Sequence, residues 1–468
     1  MKSSKKIAII IDHPVRDLQG NTLLAENLAD KGHQVFLVPM RFQARDIFAI
    51  APDYVLINYF RENNKDFIEK IIDSNIKLAL LDTEGGFFDD ELSEYKKVVR
   101  FNDNILKNVT RVFTWGRRLT EFWTKEAKLP REKVTETGSP RFDLYHSNYR
   151  FILNKKKPVS IPTSPYFLFN TKVMAGNRKF MSPKKEFLLR RRLGFSREEI
   201  ETMISLDHQY LKEFPALAKK VAQKFPNTPC IIRPHPFENK HFYEDFLSPD
   251  LSNFFVFQQG EVLPWLAGAC ALVHRHCISA IEAALLGTPS ISPQWIQTAA
   301  FSPGTEEVSY RPQSREEFFE LLENAQKGKL LVPDFARQTL SEIIPKWLHQ
   351  MDGKNFERVS RQIQEDILSS PHKSADLKKC KKYLYEGFKN RTGMGKIYHW
   401  YHLLAQKTSP SLLWMTEHLR YQVTGNKSKR FDKKDIVFSS CEKYKISSYL
   451  SDETIDSCPP AGVKIFRS

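Results

Sequence analysis

Short apolar runs alternate with amphipathic stretches along the first two thirds of the chain, and this alternation constrains the fold more than any other feature. "KIAIII" reads as a strand, "NTLLAENLADKG" as a helix ending at Gly32, and "HQVFLVP" as the next strand. "DYVLINY", "IKLALLD" and "RVFTWG" continue the pattern, with helical stretches such as "NKDFIEKIIDS" between them. Strands separated by helices of roughly 10–15 residues form βαβ units and a parallel sheet. Their β-branched content suits strands covered on both faces.

A polar, basic stretch from Tyr149 to Ser164 then reads as a connection. The pattern restarts with "YFLFNT", the helix "DHQYLKEFPALAKKVAQKF" and the strand "PCIIRP". "FFVFQ", "ACALVH" and "TPSIS" complete a second set. The expected fold is α/β, with two Rossmann-like domains facing across a cleft and helices at the C-terminus. The expected boundaries are 1–150 for the N-terminal Rossmann-like domain and 151–330 for the C-terminal one. A helical, basic region at 331–432 and a poorly structured tail at 433–468, with few apolar residues, would follow.

The 468 residues suffice for two cores and an appendage. Six cysteines form no CxxC pair, so a disulfide framework or zinc site is not expected, and a reducing, cytoplasmic setting fits. The apolar run Ile7–Ile11 is too short for a signal peptide, and no stretch of about 18 apolar residues would span a membrane. The net charge of +16 is uneven: from His372 to Lys434 there are 15 Lys/Arg against 4 Asp/Glu. A localised basic patch implies an anionic partner. Nucleic acid, the non-enzymatic alternative, would call for a reading module, and the sequence shows no RRM, KH or helix-turn-helix pattern.

In open parallel sheets, ligands bind at the carboxyl ends of the strands. After "LALL" comes "DTEGG", where Asp82 or Glu84 could accept a proton from an attacking hydroxyl; an Asp/Gly turn is the plain alternative. After "CII" come Arg233 and His235, the histidine held between Pro234 and Pro236. An imidazole and a guanidinium there suit an anionic leaving group. After "CALV" comes "HRHCISAIEAALLG", with a helix expected from Ile278 to Leu286. His274, Cys277 and Ser279 fall at or before its N-terminus, a favourable place for phosphate, and Glu282 lies one turn further in, within reach of a ribose hydroxyl.

Taken in order, "EGG", "RPHP" and "HCISAIEA" resemble the acidic, HP and serine-bearing motifs of GT-B glycosyltransferases that use CMP-activated sugars, the bacterial sialyl- and polysialyltransferases. "TETGSPRFDLY" and "FLFNT" resemble stretches of a broader group of surface carbohydrate biosynthesis proteins, with Kdo transferases and CDP-glycerol polymerases as more distant relatives. The resemblance covers roughly residues 5 to 320. Thr83 departs from it at the first acid of the usual pair, and "CIS" replaces the usual Ser/Thr pair.

The resemblance implies transfer of a nonulosonic acid such as sialic acid or Kdo from a CMP-linked donor to a capsule or lipopolysaccharide glycan. His235 would stabilise the departing CMP phosphate beside Ser279, Glu282 would hold the nucleotide, and Glu84 would be the base. Asn170, at the opening of the second domain, would join Arg233, His274, Cys277, Ser279 and Glu282 in binding the nucleotide or its phosphate, and Arg141 and Asp143 would serve either the acceptor or structural support. It implies no metal and no cofactor, and "FDD" at 88–90 falls in a polar loop. A CDP-glycerol or ribitol phosphotransferase and a UDP-GlcNAc 2-epimerase-like enzyme are the alternatives. The acceptor would be an oligosaccharide or a lipid-linked glycan.

Two basic stretches remain. Lys172–Arg192 carries eight basic residues against one acid, expected at the cleft mouth or on a solvated helix face. "KIYHWYHLLAQKTSPSLLWMTEHLRYQVTGNKSKR" mixes aromatic and basic residues, suiting either peripheral attachment to the inner face of the membrane or helices packed on the body.

Overall fold

The computed structural model describes residues 4–369 except 156, 157, 159, 174, 180 and 193, then 374–389, 435–438, 444–448 and 463–467. These fall into two compact units. One combines the described residues up to Ile152 with those from Ile344 onward, and the other runs Leu153–Ile343.

The first unit is built on β1 (Lys6–Ile11), β2 (Gln34–Pro39), β3 (Tyr54–Ile57), β4 (Lys77–Leu81), β5 (Arg111–Thr114) and β6 (Val134–Glu136). All pair in parallel, in the order β2-β1-β3-β4-β5-β6. The winding reverses between β1 and β3, the position at which doubly wound sheets open a crevice. Ile7, Ile9 and Ile11 are as buried as Ala8 and Ile10, so both faces of β1 are covered.

The second unit holds β7 (Tyr166–Asn170), β8 (Cys230–Arg233), β9 (Phe254–Val256), β10 (Ala269–Val273) and β11 (Ser290–Ile291). Their order is β11-β10-β7-β8-β9, again all parallel, with the reversal between β7 and β10. Both units are therefore Rossmann-like α/β layers.

Two further strands lie within the stretch from Lys433 that is expected to be poorly structured. β12 (Tyr444–Ser448) and β13 (Val463–Arg467) form an antiparallel ladder that extends the first sheet through β2. Alternation supplies the reason: Val463 and Ile465 are buried, and opposite β2 they cover an edge that would otherwise be open.

Local chemistry sets the helices. α1 (Pro14–Asp30) begins with Pro14 in its first turn, where the fixed φ suits a helix and no donor is missed. α2 (Pro183–Arg192) precedes α3 (Arg197–Lys224), whose start is a reciprocal cap: Ser196 Oγ accepts from Glu199 N at 3.0 Å, and Glu199 Oε2 accepts from Ser196 N at 2.6 Å. Tyr210 and Phe214 of α3 stack at 4.8 Å in the second core. α4 (Ser279–Leu286) ends at Gly287, whose φ of +83° demands glycine. α5 (Asn355–Leu368) belongs to the first unit, where its Asp366 accepts from Tyr54 Oη at 3.0 Å. Among the described residues, no helix is long and apolar enough to cross a membrane. The aromatic, basic run at 396–430 lies outside the described residues.

Candidate functional site

In the second unit, the winding reversal gathers several of the expected residues. Asn170 and Arg233 are register partners across β7 and β8. Asn170 Nδ2 donates to Ser279 Oγ at 2.9 Å, tying the end of β7 to the start of α4. The remaining amide oxygen, Asn170 Oδ1, is buried without a hydrogen-bond partner among the described residues.

Arg233 is 7% exposed. One terminal nitrogen donates to the Gly260 carbonyl at 2.9 Å, while Nε is buried without a hydrogen-bond partner among the described residues. Burial lowers its pKa to about 10, against the opposing pull of Cys277 and Glu282. Glu282 is itself buried on α4 and lends negative charge to the surroundings of Arg233.

His235 stands exposed beyond the end of β8. Its backbone N–H donates to Thr171 Oγ1 at 3.2 Å and its carbonyl accepts from Gln258 at 2.8 Å. The ring's Nδ1 accepts from Phe237 N at 3.3 Å, which leaves the proton of the neutral imidazole on Nε2. Below the turn lies a residue that sequence reasoning missed. Glu238, 2% exposed, accepts from Thr171 Oγ1 at 2.7 Å, from Val173 N at 3.0 Å and from the Tyr243 hydroxyl. Burial pushes its carboxyl up to about 7, against those hydrogen bonds. One buried carboxylate thus organises the turn that presents His235.

Two of the residues expected to meet phosphate at the start of α4 have partners inside the protein. His274 is fully buried: Nε2 meets Ser309 Oγ at 2.8 Å, Nδ1 accepts from Cys277 N at 3.4 Å, and burial lowers its pKa to about 4. It is a neutral brace for the loop and does not reach a ligand. The Ser279 hydroxyl, besides accepting from Asn170, donates to Cys277 Sγ at 3.0 Å, so it is spent inside the protein. Cys277 is buried and its thiol pushed up by that burial, which keeps it neutral. What α4 can offer an anion is its N-terminal amides. The loop is also held by Arg275, which donates to Glu306 at 3.0 Å, Ser292 Oγ at 2.8 Å and the Ile296 carbonyl at 2.9 Å. Next to it His276 sits at φ +47°, an uncommon left-handed position for a residue with a side chain.

In the first unit, Asp82 and Glu84 part company. Asp82 is buried and forms a two-point pair with Arg61, at 3.0 and 3.4 Å, and it also accepts from Glu84 N at 3.0 Å. Burial, only partly offset by Arg61, holds its carboxyl above the ordinary value. The Glu84 side chain is 63% exposed, with Arg16 Nη1 at 3.5 Å. Arg16 also binds Asp12 at 3.0 Å and Asp17 at 2.8 Å; burial opposes its charge, but these carboxylates outweigh burial and keep it protonated. Asp12, Tyr59, Arg61, Glu62, Glu84 and Arg100 line an open groove of about 510 Å³. The glycines after Glu84 are not there for flexibility: a Cβ on Gly85 or Gly86 would come within 2.9 or 2.8 Å of the Trp115 ring.

The "PRFD" stretch divides similarly. Arg141 is half-buried beside a pocket of about 20 Å³ that Asp82, Thr83 and Trp115 also line. Asp143 is fully buried and caps α5, accepting from Asn355 N at 2.9 Å and Phe356 N at 2.8 Å. Burial raises its carboxyl to about 7. Its role is structural.

No known protein family matches the chain, and no curated protein matches it. Solved structures do resemble it. A variant of the wall teichoic acid polymerase TagF aligns over 78% of this chain and 90% of its own, at 12% identity and a TM-score of 0.48. A UDP-N-acetylglucosamine 2-epimerase aligns over 79% of this chain and 98% of its own, at 12% identity and a TM-score of 0.45. The UDP-GlcNAc 2-epimerase from Neisseria meningitidis, bound to UDP-GlcNAc, aligns over 77% and 100%, at 13% identity and a TM-score of 0.44. At such scores the chemistry has to be read from this chain's own residues.

Proposed function

We propose that this protein is a GT-B-type glycosyltransferase that takes a sugar from a nucleotide-activated donor, CMP-linked, and adds it to a growing surface polysaccharide. The observation that carries the reading is Arg233, a buried cation with an unpartnered Nε at the winding reversal of a Rossmann-like sheet. Burying a charge with so few partners costs stability, and an anionic ligand would offset that cost. A nucleotide phosphate brings the charge, and the α4 amides favour it at the same edge.

In this scheme the donor's bond from the anomeric carbon to the phosphate oxygen breaks, and its electron pair goes to the phosphate. His235, donating from Nε2, and Arg233 stabilise the charge that develops there. Asn170 and Glu282 offer acceptors for donor hydroxyls. The acceptor hydroxyl, of an oligosaccharide or a lipid-linked glycan, forms the new bond to the anomeric carbon as Glu84 takes its proton. Glu84 suits this role better than Asp82, whose lone pairs are committed to Arg61 and a backbone amide.

The test is thermal stabilisation by CMP, CDP, UDP and GDP, with Arg233→Met and His235→Ala alongside. A saturating nucleotide at one hundred times its Kd adds about 2.7 kcal/mol. A shift with CMP that Arg233→Met abolishes supports the reading. A shift with UDP alone would turn it toward the epimerase-like alternative, and one with CDP alone toward a CDP-alcohol phosphotransferase.

A further inference from the structure

We propose that α2 is an interfacial helix that seats the second unit on an anionic lipid bilayer. Each helical residue turns the chain by about 100°, so Lys184, Lys185, Leu188, Leu189, Arg191 and Arg192 share one arc of roughly 160°. All six are exposed, Leu188 by 49% and Leu189 by 43%. The opposite side carries Glu186 and Arg190, both buried. Glu186 is neutralised there by Arg190 at 3.2 Å and Arg178 at 2.9 Å. The helix's one acid is therefore turned inward, and the outward face presents two leucines among four cations.

That pairing selects the partner. A polyanionic chain would use the cations and gain nothing from leucines. A bilayer with acidic headgroups uses both: the leucines enter the apolar boundary while the Lys and Arg stems lie along it, with their heads at the phosphates. Arg191 also donates to the Phe195 carbonyl at 2.9 Å, which holds its head at the rim of the face. At ten residues the helix is too short to span a membrane and suited to lying on one. In sequence it is distinct from the aromatic, basic segment at 396–430.

The experiment is co-sedimentation of the full chain with vesicles of phosphatidylcholine alone or mixed equally with phosphatidylglycerol. Wild type should bind the acidic vesicles, less in high salt. The double variant Leu188→Ser/Leu189→Ser should bind about tenfold or more weakly, with an unchanged melting temperature because both side chains are exposed. Binding of the double variant equal to wild type, or no binding of wild type, overturns the proposal. Leu188→Trp supplies an independent reading. Its difference spectrum against wild type should shift to the blue on acidic vesicles, and an unshifted spectrum overturns the proposal even if another segment holds the chain there.

Discussion

Replacing Glu238 with Gln removes one titration from the second unit, and the pH range in which this matters follows from the structure. The carboxyl is buried, and burial raises it from an ordinary 4.5 to about 7. A carboxyl whose folded pKa lies above its unfolded one favours the folded state while it is protonated. Its contribution is complete below the unfolded value and is lost as pH rises through the folded one. Roughly 2.5 pH units, at about 1.4 kcal/mol each, amount to about 3 kcal/mol. The variant has a different, constant cost. Its amide oxygen can serve the Thr171 and Tyr243 hydroxyls, but its amide nitrogen meets the Val173 N–H donor to donor, a loss of about 1–3 kcal/mol. At pH 5 the variant is therefore expected to be the less stable protein, and by pH 8 it should equal or exceed wild type. Urea unfolding of both proteins from pH 5 to pH 8 reads the difference, from which Asp143, titrating alike in both, cancels. A stability gap that stays constant with pH would refute the reasoning.

Three further outcomes are expected. Arg233→Met should leave stability unchanged or raise it by about 1–4 kcal/mol, since an under-partnered buried charge is removed, while CMP binding measured by calorimetry disappears. Glu84→Gln should shift unfolding by no more than about 0.5 kcal/mol yet lower sugar transfer by about 10²–10⁴, whereas Asp82→Ala should cost about 3–5 kcal/mol by stranding Arg61. Asp143→Ala should cost about 1–2 kcal/mol in thermal unfolding, because the Asn355 and Phe356 amides at the start of α5 lose their acceptor.

The strands that sequence reading found share one property: each is an apolar run bounded by polar or turn residues and followed by a helical pattern. β1 to β5 and β7 to β10 fit this description, whereas β11 is only Ser290–Ile291 with a long loop after it. β6 has only three residues inside a motif that draws attention for other reasons. β12 and β13 carry Lys, Ser and Arg between their apolar positions, and β13 pairs with β2, more than 400 residues away in sequence. That pairing is a non-local choice which no local pattern announces. The site was legible to the same depth. The strand-end rule located Asp82, Glu84, Arg233, His235 and Ser279, because it depends on topology alone. It could not separate His274 from His235, which both follow strands, since burial separates them. Nor could it find Arg16, Arg61, Glu238 or Glu306, whose meaning lies in partners distant in sequence.

The two sheet edges differ in how they treat buried charge, and this difference supports the proposal of a ligand site in the second unit. At the first edge, Arg61 faces Asp82 in a two-point pair, and Arg16 is ringed by Asp12, Asp17 and Glu84. Such groups hold a scaffold in place and leave one carboxylate, Glu84, largely in solvent. At the second edge, a guanidinium donor on Arg233 and an amide acceptor on Asn170 are buried without hydrogen-bond partners, on neighbouring strands. Folding alone gives no reason to keep both, because each forfeits hydration that no described residue returns. Binding does give one: a ligand with an anionic oxygen and a hydroxyl would complete both groups at once. Interactions formed only with ligand present then contribute wholly to affinity, and the folded state bears their cost beforehand. This is the ground for the proposal that the second unit binds the donor.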